Sequence, residues 1–281
     1  MRIQRFVSRS FVHFAVILIA FLWTLPTVGV LVSSFRPEND VKNSGWWNAL
    51  KHPFEESVWT FKNYADVISA NGLGEAFVNT LVVTIPATIL PITVAAFAAY
   101  AFAWMRFPGR DWLFAMVIGL MVVPLQVALI PILRLYTQTG IAGTFLGLWL
   151  AHTGFGLPLA IYLLYNYISQ LPGDLIESAK IDGASDFTVF MRIVLPLSTP
   201  AIASFAIFQF LWIWNDLLVS LVFLGTNKVL TVKLSELTGS LGNKWHLLTA
   251  GAFVSMIVPL AVFFALQRYF VRGLLAGSVK G

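Results

Sequence analysis

Long apolar stretches alternate with short polar stretches along this chain, and the pattern predicts a bundle of membrane-spanning helices. A helix needs about 20 predominantly apolar residues to cross the hydrocarbon core of a bilayer. Six runs reach about that length, and we predict an α-helix for each. They are approximately Phe11–Ser33, Ala76–Trp104, Trp112–Leu135, Phe145–Ile168, Thr199–Leu224 and Leu248–Phe270. The predicted fold class is therefore an all-α integral membrane protein with six transmembrane helices, in a single domain over residues 1–281.

Composition supports a membrane protein and also gives its orientation. Hydrophobic residues make up 58% of the chain and charged residues only 11%, whereas soluble domains carry about 25% charged residues. Basic residues concentrate on the cytoplasmic side of membrane proteins. The ones that decide orientation here are Arg2, Arg5, Arg9, Arg106, Arg110, Arg268 and Arg272. We therefore predict cytoplasmic termini and an extracytoplasmic segment over residues 36–75. The net charge of +5 is attributed to this topology, and no nucleic-acid partner is predicted.

Several kinds of chemistry have no candidate residues in the sequence. The chain has no cysteine, and its four histidines, which include His13 and His152, do not stand at metal-ligand spacing. These two histidines are interpreted as interfacial or packed residues. No G-x-x-x-x-G-K-[ST] phosphate loop and no serine nucleophile motif occur. We therefore expect no catalytic residue, metal site or cofactor in this chain.

The polar segment 169–198, between the fourth and fifth runs, carries the turn residues of two short helices. Asp174 is predicted to cap the first helix, with Glu177 completing a capping box three residues later. Gly183 suits the left-handed conformation that ends a helix, and Ser185 can cap the second helix.

The second short helix is predicted to stop before Pro196, which cannot donate a backbone hydrogen bond. Helical spacing predicts that its apolar side chains share one face. These are Phe187, Phe190, Met191 and Val194.

This segment resembles the cytoplasmic loop of the integral membrane subunits of binding-protein-dependent ABC importers. That loop reads Glu-Ala-Ala, then Gly, nine residues, Ile, any residue and Leu-Pro. The coupling-loop residues here are Glu177, Ser178, Ala179, Asp182, Gly183, Ile193, Leu195 and Pro196, with Ser178 in place of the middle alanine. The resemblance implies a type I ABC importer permease fold and a loop that docks into a cleft of the ATP-hydrolysing subunit. The alternative is an ordinary hydrophilic loop with two capped turns.

The fifth run contains polar and aromatic residues that are predicted to form a substrate pathway or gate. They are Gln209, Trp212, Trp214, Asn215 and Asp216. An ionisable group within a span is costly and therefore a candidate for function. The Trp-Asn-Asp sequence resembles the fifth helix of maltose-type sugar permeases. Aromatic faces and carboxylate or amide groups suit a sugar, but Asn215 and Asp216 are equally suited to hold or gate the pathway against a neighbouring subunit.

Weaker resemblances extend to both ends of the chain. Thr60–Tyr64 is similar to a Thr-x-x-Asn-Tyr pattern of carbohydrate permeases, and the cytoplasmic tail 271–281 resembles that of the smaller permease subunit of carbohydrate importers. That tail can reach the ATPase subunits, or it can serve as a basic anchor. The sequence Ser44–Trp47 favours the α-glucoside group. Its tryptophans are interpreted either as interfacial anchors or as contacts for a solute-binding protein.

The family resemblance implies a set of partners in the membrane lipid of a bacterium or archaeon. These are a second permease subunit, two ATP-binding subunits that hold ATP and Mg, an extracytoplasmic solute-binding protein and a sugar or oligosaccharide substrate. The function expected is ATP-driven import of that solute through the cytoplasmic membrane. Alternatives are the same mechanism for a polyol or another small polar solute, an ion-coupled secondary transporter, and, more remotely, a membrane-embedded enzyme.

Overall fold

The structure is a computed structural model that describes residues 2–238 and 244–276, with side chains over residues 12–238 and 244–267. These ranges fold into helices and turns and contain no β-strand. The α-helices are α1 (Arg2–Ser34), α2 (Glu38–Asn43), α3 (Lys62–Ala65), α4 (Leu73–Trp104), α5 (Arg110–Leu120), α6 (Leu125–Thr139), α7 (Phe145–Ile168), α8 (Gly173–Ile181), α9 (Asp186–Val189), α10 (Leu195–Leu197), α11 (Thr199–Trp214), α12 (Leu218–Phe223), α13 (Leu230–Thr238) and α14 (Trp245–Ala276).

Four of the described helical stretches are long and apolar enough to cross a membrane. They are Val12–Ser34, Leu73–Trp104, Phe145–Ile168 and Trp245–Gln267. Two bent helix pairs bring the number to six if each pair forms one span: α5 with α6, and Asp186–Leu197 with α11. The all-α membrane fold class is confirmed, and a count of six spans fits it.

The third run is not the single helix that was predicted. The chain turns by 102° between α5 and α6, after Leu120 and before Leu125. Pro124 explains the site of the break, because proline lacks a backbone N–H and disfavours helical geometry in the residue before it. An apolar run therefore need not be one straight helix.

Smaller differences occur at other helix boundaries. The second long helix begins at Leu73 rather than Ala76, and the short helix α13 was not predicted. The sixth run was predicted to end near Phe270, but α14 continues through Gly273 to Ala276. The rest of the predicted tail, residues 277–281, lies outside the described residues.

The chain divides into two compact units. The first contains Met1–Glu75 and Lys233–Met256, and the second contains Ala76–Val232 and Ile257–Gly281. The second unit has two apolar cores. One joins α4 and α7 to the loop helices around Leu164 and Phe190, and the other joins α4, α6, α7, α11 and α12 around Leu148 and Phe223.

In the first unit, the segment after α1 is tied to the end of that helix. The backbone N–H of Thr60 donates to the carbonyl of Phe35 at 2.6 Å. The Asn63 side-chain amide donates to the carbonyls of Ser34 and Arg36 at 2.9 and 2.8 Å, and Tyr64 Oη lies 2.7 Å from Ser34 Oγ. The Thr60–Tyr64 pattern found in the sequence therefore forms a hydrogen-bonded base for the intervening segment.

Candidate functional site

The first of two candidate sites is the loop between α7 and α11, and its first helix begins differently from the prediction. The helix α8 starts at Gly173 after Pro172, and no side chain caps its N-terminus. The predicted capping box of Asp174 and Glu177 is therefore wrong. Because the helix begins at Gly173, two residues before the predicted start, Asp174 lies inside the first turn, where its negative charge interacts favourably with the helix dipole.

The turn between the two loop helices follows the sequence prediction. Gly183 has φ of +84°, in the left-handed region, and Ser185 Oγ accepts a hydrogen bond from the backbone N–H of Thr188 at 3.2 Å. Gly183 as the turn residue and Ser185 as the helix cap are thus both confirmed. Together they fix a sharp reversal between α8 and α9.

The second loop helix does not stop before Pro196. A π-helical turn over Phe190–Val194 follows α9 and leads directly into α10 (Leu195–Leu197). Pro196 lies in the first turn of α10, where its missing N–H removes no helical hydrogen bond. The predicted common apolar face is also wrong: Phe190 and Val194 are buried, whereas Phe187 and Met191 are exposed.

The predicted coupling residues form a partly exposed surface. Glu177, Ser178, Asp182, Gly183 and Pro196 are exposed, while Ala179, Ile193 and Leu195 are half-buried. Beside them, three apolar side chains that the motif does not include point outward: Leu175, Ile181 with 85% of its surface exposed, and Phe187 with 64% exposed. We call Leu175, Ile181 and Phe187 the loop's apolar face.

The loop is connected to the end of α4 by polar and aromatic contacts. Tyr100 Oη donates to Asp186 Oδ1 at 3.1 Å, and Lys180 Nζ lies 3.0 Å from the same oxygen. The hydrogen bond from Lys180 lowers the pKa of the Asp186 carboxyl below its usual value. The ring of Phe190 packs on those of Phe97 and Tyr100, with centroids 4.6 and 5.5 Å apart. The start of the second loop helix is therefore in direct contact with the end of α4.

The second candidate site is a break in the fifth run at Asp216. The helix α11 ends at Trp214 and α12 begins at Leu218, so the prediction that Asp216 lies in a continuous helix is wrong. Asp216 Oδ1 accepts from the backbone N–H of Val219 at 3.1 Å. Asp216 Oδ2 accepts from the N–H and hydroxyl of Ser220 at 2.8 and 2.9 Å. The carboxylate thus satisfies backbone donors that the break would otherwise leave unpaired in an apolar segment.

Two side chains from other helices meet Asp216. Thr231 Oγ1, on α13, donates to its backbone carbonyl. His152, on α7, is fully buried, and its Nε2 lies 3.7 Å from Asp216 Oδ2. The His152 ring also packs edge-on against Trp212, with centroids 5.9 Å apart. Sequence reasoning identified His152 only as an interfacial or packed residue, because its partner is 64 positions away.

The other predicted pathway residues do not converge on Asp216. Trp214 is buried and stacks on Phe210, and the Asn215 amide donates to a carbonyl of its own helix, that of Leu211. Trp212 is half-exposed and lines an apolar cavity of about 770 Å³ beside the break between α5 and α6. Among the described residues, no three His, Asp or Glu side chains could together hold a metal ion.

Gln209 is buried against a glycine of α7. A Cβ atom added to Gly156 would lie 2.6 Å from Gln209 Nε2, whereas one added to Gly154 would meet nothing within 4 Å. Gly156 is therefore a close-packing position, and Gly154 is not. Gly156 allows α7 and α11 to approach at the level of Gln209.

Gly156→Ala should destabilise the protein, because the added methyl group collides with a buried side chain in a packed interior. We expect a cost of about 1–3 kcal/mol in the free energy of unfolding. The measurement is the thermal midpoint of the detergent-purified chain. Gly154→Ala is the matched control on the same helix and should leave the midpoint unchanged or raise it. Equal midpoints for the two variants would contradict the close approach.

Comparison with known proteins assigns the chain to a family. Residues 89–275 match the family described as binding-protein-dependent transport system inner membrane component. An osmoprotective compounds uptake permease of Synechocystis sp. is 61% identical over 96% of this chain and 91% of its own length. An α-glucoside transport system permease of Rhizobium meliloti is 45% identical, over 96% of this chain and 97% of its own length. The chain therefore belongs to the family of inner membrane components of binding-protein-dependent transport systems.

A solved structure shows the same fold. A chain of a bacterial ABC transporter involved in the import of the acidic polysaccharide alginate superposes with a TM-score of 0.73. The match covers 96% of this chain and 97% of that chain, at 19% identity. The predicted family, permease fold and membrane location are confirmed, and a solute-binding protein is a partner of this class of protein by definition. The roles of individual residues stay predictions.

Proposed function

We propose that this chain is a permease subunit through which ATP hydrolysis by partner subunits drives solute import, and that the loop's apolar face is where an ATPase subunit docks. The observation that carries the proposal is the exposure of Ile181 and Phe187 beside a buried inner face that includes Ile176. Large apolar side chains that are exposed in a polar loop are candidates for contact with a partner protein. In this assembly a second permease completes the pathway, and ATP and Mg are held by the two ATP-binding subunits.

In this proposal, movement is transmitted from the loop to the membrane helices. Closure of the ATPase subunits would displace α8 and α9 together, since the turn at Gly183 and Ser185 holds them in a fixed arrangement. Asp186 and Phe190 would then move α4 through Tyr100 and Phe97. Such rigid-body movement of packed helices is a common way to convert a local event into a change of access.

The solute proposed is a glycoside, a sugar or an oligosaccharide, or a small polyhydroxy compound. The name of the relative from Rhizobium meliloti supports the first class, whereas the name of the relative from Synechocystis gives osmoprotective compounds without their chemical class. Hydroxyl groups are common to both classes, and the Trp-Asn-Asp sequence does not choose between them, because Trp214 is buried against Phe210 and the Asn215 amide donates to the carbonyl of Leu211. An ion-coupled transporter has no comparable support.

The test is purification of the chain from its native membrane in mild detergent, with mass spectrometry of attached proteins and an ATPase assay. We expect a second permease and an ATPase, with ATPase activity raised by the binding protein loaded with an α-glucoside or a polyol. Each solute is added separately, so that the two classes are distinguished. A chain without an ATPase that moves solute in liposomes under an ion gradient would refute the proposal.

Ile181→Asp should weaken the docking of the ATPase subunit. An unpaired carboxylate buried in an apolar cleft costs several kcal/mol, so we expect the affinity to fall by more than about tenfold. The measurement is retention of the ATPase on the immobilised permease complex. Ile181→Met, which keeps the side chain apolar, is the matched control and should retain it. Normal retention of the ATPase by the Ile181→Asp variant would show that the loop's apolar face is not part of the interface.

A further inference from the structure

We infer that His152 is the positioning residue of the helix break at Asp216, and that it holds the break closed by contacting the chain on both sides of it. Before the break, its ring packs edge-on against Trp212 in the last turn of α11. Within the break, its Nε2 faces Oδ2 of Asp216, the residue that caps α12, at 3.7 Å. One side chain of α7 therefore bridges the two ends of the interrupted helix. The inference rests on the proposed function only in assigning the break to the transport cycle.

Burial increases the free-energy cost of losing this contact. His152 is 0% exposed, and neither of its ring nitrogens has a hydrogen-bond partner within the described residues. The Asp216 side chain is 9% exposed. A buried polar group without a partner loses about 1–3 kcal/mol relative to a satisfied one. The strongest local interaction available to the imidazole is therefore with the carboxylate that it faces.

The distance indicates a contact that a small movement changes. At 3.7 Å the two atoms are about 0.7 Å farther apart than in a typical N–H···O hydrogen bond. Asp216 moves with α12, because its carboxylate already accepts three hydrogen bonds from Val219 and Ser220. A shift of α12 toward or away from α7 by less than a bond length therefore makes or breaks the interaction with His152.

The neighbouring turn shows that α7 runs alongside α11 at this point. Gly156, one turn after His152, closely approaches Gln209, which precedes Trp212 by about one turn of α11. Residues of α7 thus contact α11 at two successive turns, Gly156 with Gln209 and His152 with Trp212. At the second of these turns, His152 also faces Asp216 in the break. His152 therefore contacts α11 and the capping residue of α12 although no continuous helix joins them.

The test uses the absence of cysteine from the natural chain. In a Val219→Cys background, the new thiol is buried next to the break, because Val219 is almost inaccessible. His152→Phe keeps a ring but removes both nitrogens. We expect it to raise the rate of thiol labelling in native membranes by about 5- to 10-fold, the lower end of typical conformational couplings. His152→Gln, which can still donate to Asp216, should restore a rate close to that of the parent.

Two further variants separate positioning from general loosening. Thr153→Val, at the adjacent buried position, removes a hydroxyl at constant shape and should leave the labelling rate unchanged. Asp216→Asn should raise the rate, and adding His152→Phe to it should produce little further increase, since both act on one contact. An unchanged rate in His152→Phe, or effects that add as for independent sites, would overturn the inference.

Thiol labelling also keeps this inference distinguishable from the proposed function. The readout needs only the folded chain in its membrane, and does not depend on an ATPase partner or a known solute. If His152→Phe raises the labelling rate as expected but the chain has no ATPase partner, the His152 inference is supported and the proposed importer function is refuted. Normal ATP-driven import, together with an unchanged labelling rate in His152→Phe, would support the proposed function and refute the His152 inference.

Discussion

Gly183→Val should abolish most solute uptake while the chain still reaches the membrane. Gly183 adopts φ of +84°, and a β-branched residue in this left-handed region costs roughly 1–2 kcal/mol or more. The strain would be relieved by reopening the turn, so α8 and α9 would no longer move as one body. A penalty of about 1.4 kcal/mol already changes an equilibrium tenfold. The measurement is uptake of radiolabelled solute, normalised to the amount of permease in the membrane.

Gly183→Asn supplies the matched comparison for this prediction. Asparagine tolerates the left-handed conformation far better than valine, so uptake should remain near the parental level. A Cβ atom at this position meets nothing within 4 Å, which rules out a steric collision as the cause of any difference within the described chain. Normal uptake by the valine variant at normal abundance would refute the role assigned to the turn.

Asp216→Ala should lower uptake and raise the ATPase activity that occurs without the binding protein. The substitution removes the acceptor for the backbone N–H groups of Val219 and Ser220, and loss of a helix cap alone costs about 0.5–2 kcal/mol. It also removes the carboxylate that faces His152. With α12 no longer held at the break, the pathway should lose its resting state, and we expect uptake to fall by about fivefold or more. Both quantities are measured in proteoliposomes of the whole complex.

The two functions of Asp216 can be separated with Asp216→Asn. Asparagine caps helices about as well as aspartate but carries no charge, so the first turn of α12 should persist while the interaction with His152 weakens. The expected order of uptake is parent, then asparagine, then alanine. Parental behaviour of the alanine variant in both assays would return Asp216 to an ordinary structural role.

Local sequence determined the parts of the fold that were predicted correctly. The long apolar runs require burial in lipid whatever their neighbours are, so the membrane class follows from hydropathy. Gly183 and Ser185 were identified because a left-handed turn and a helix cap depend on a few consecutive residues. The failure at Asp174 is also local: α8 begins at Gly173, directly after Pro172, instead of at residue 175.

The breaks inside the apolar runs could not be found in the same way. Hydropathy over Thr199–Leu224 is high on both sides of Asp216, and nothing in it indicates that a carboxylate caps a new helix there. The single available signal was the expense of placing Asp216 inside a continuous membrane helix. His152 and Thr231 meet this residue from positions 64 and 15 residues away, and such contacts depend on tertiary packing.

The hydrogen bonds at the base of the segment after α1 have a thermodynamic consequence for any protein that binds this segment. Because Thr60 and Asn63 already anchor the chain to Phe35 and Ser34, the intervening residues cannot explore the open conformations of a free loop of the same length. A partner that binds here therefore orders little additional chain and retains more of its contact energy as affinity. The anchored segment cannot absorb a change in the partner's shape by changing its own conformation. Such a change therefore displaces the end of α1 itself.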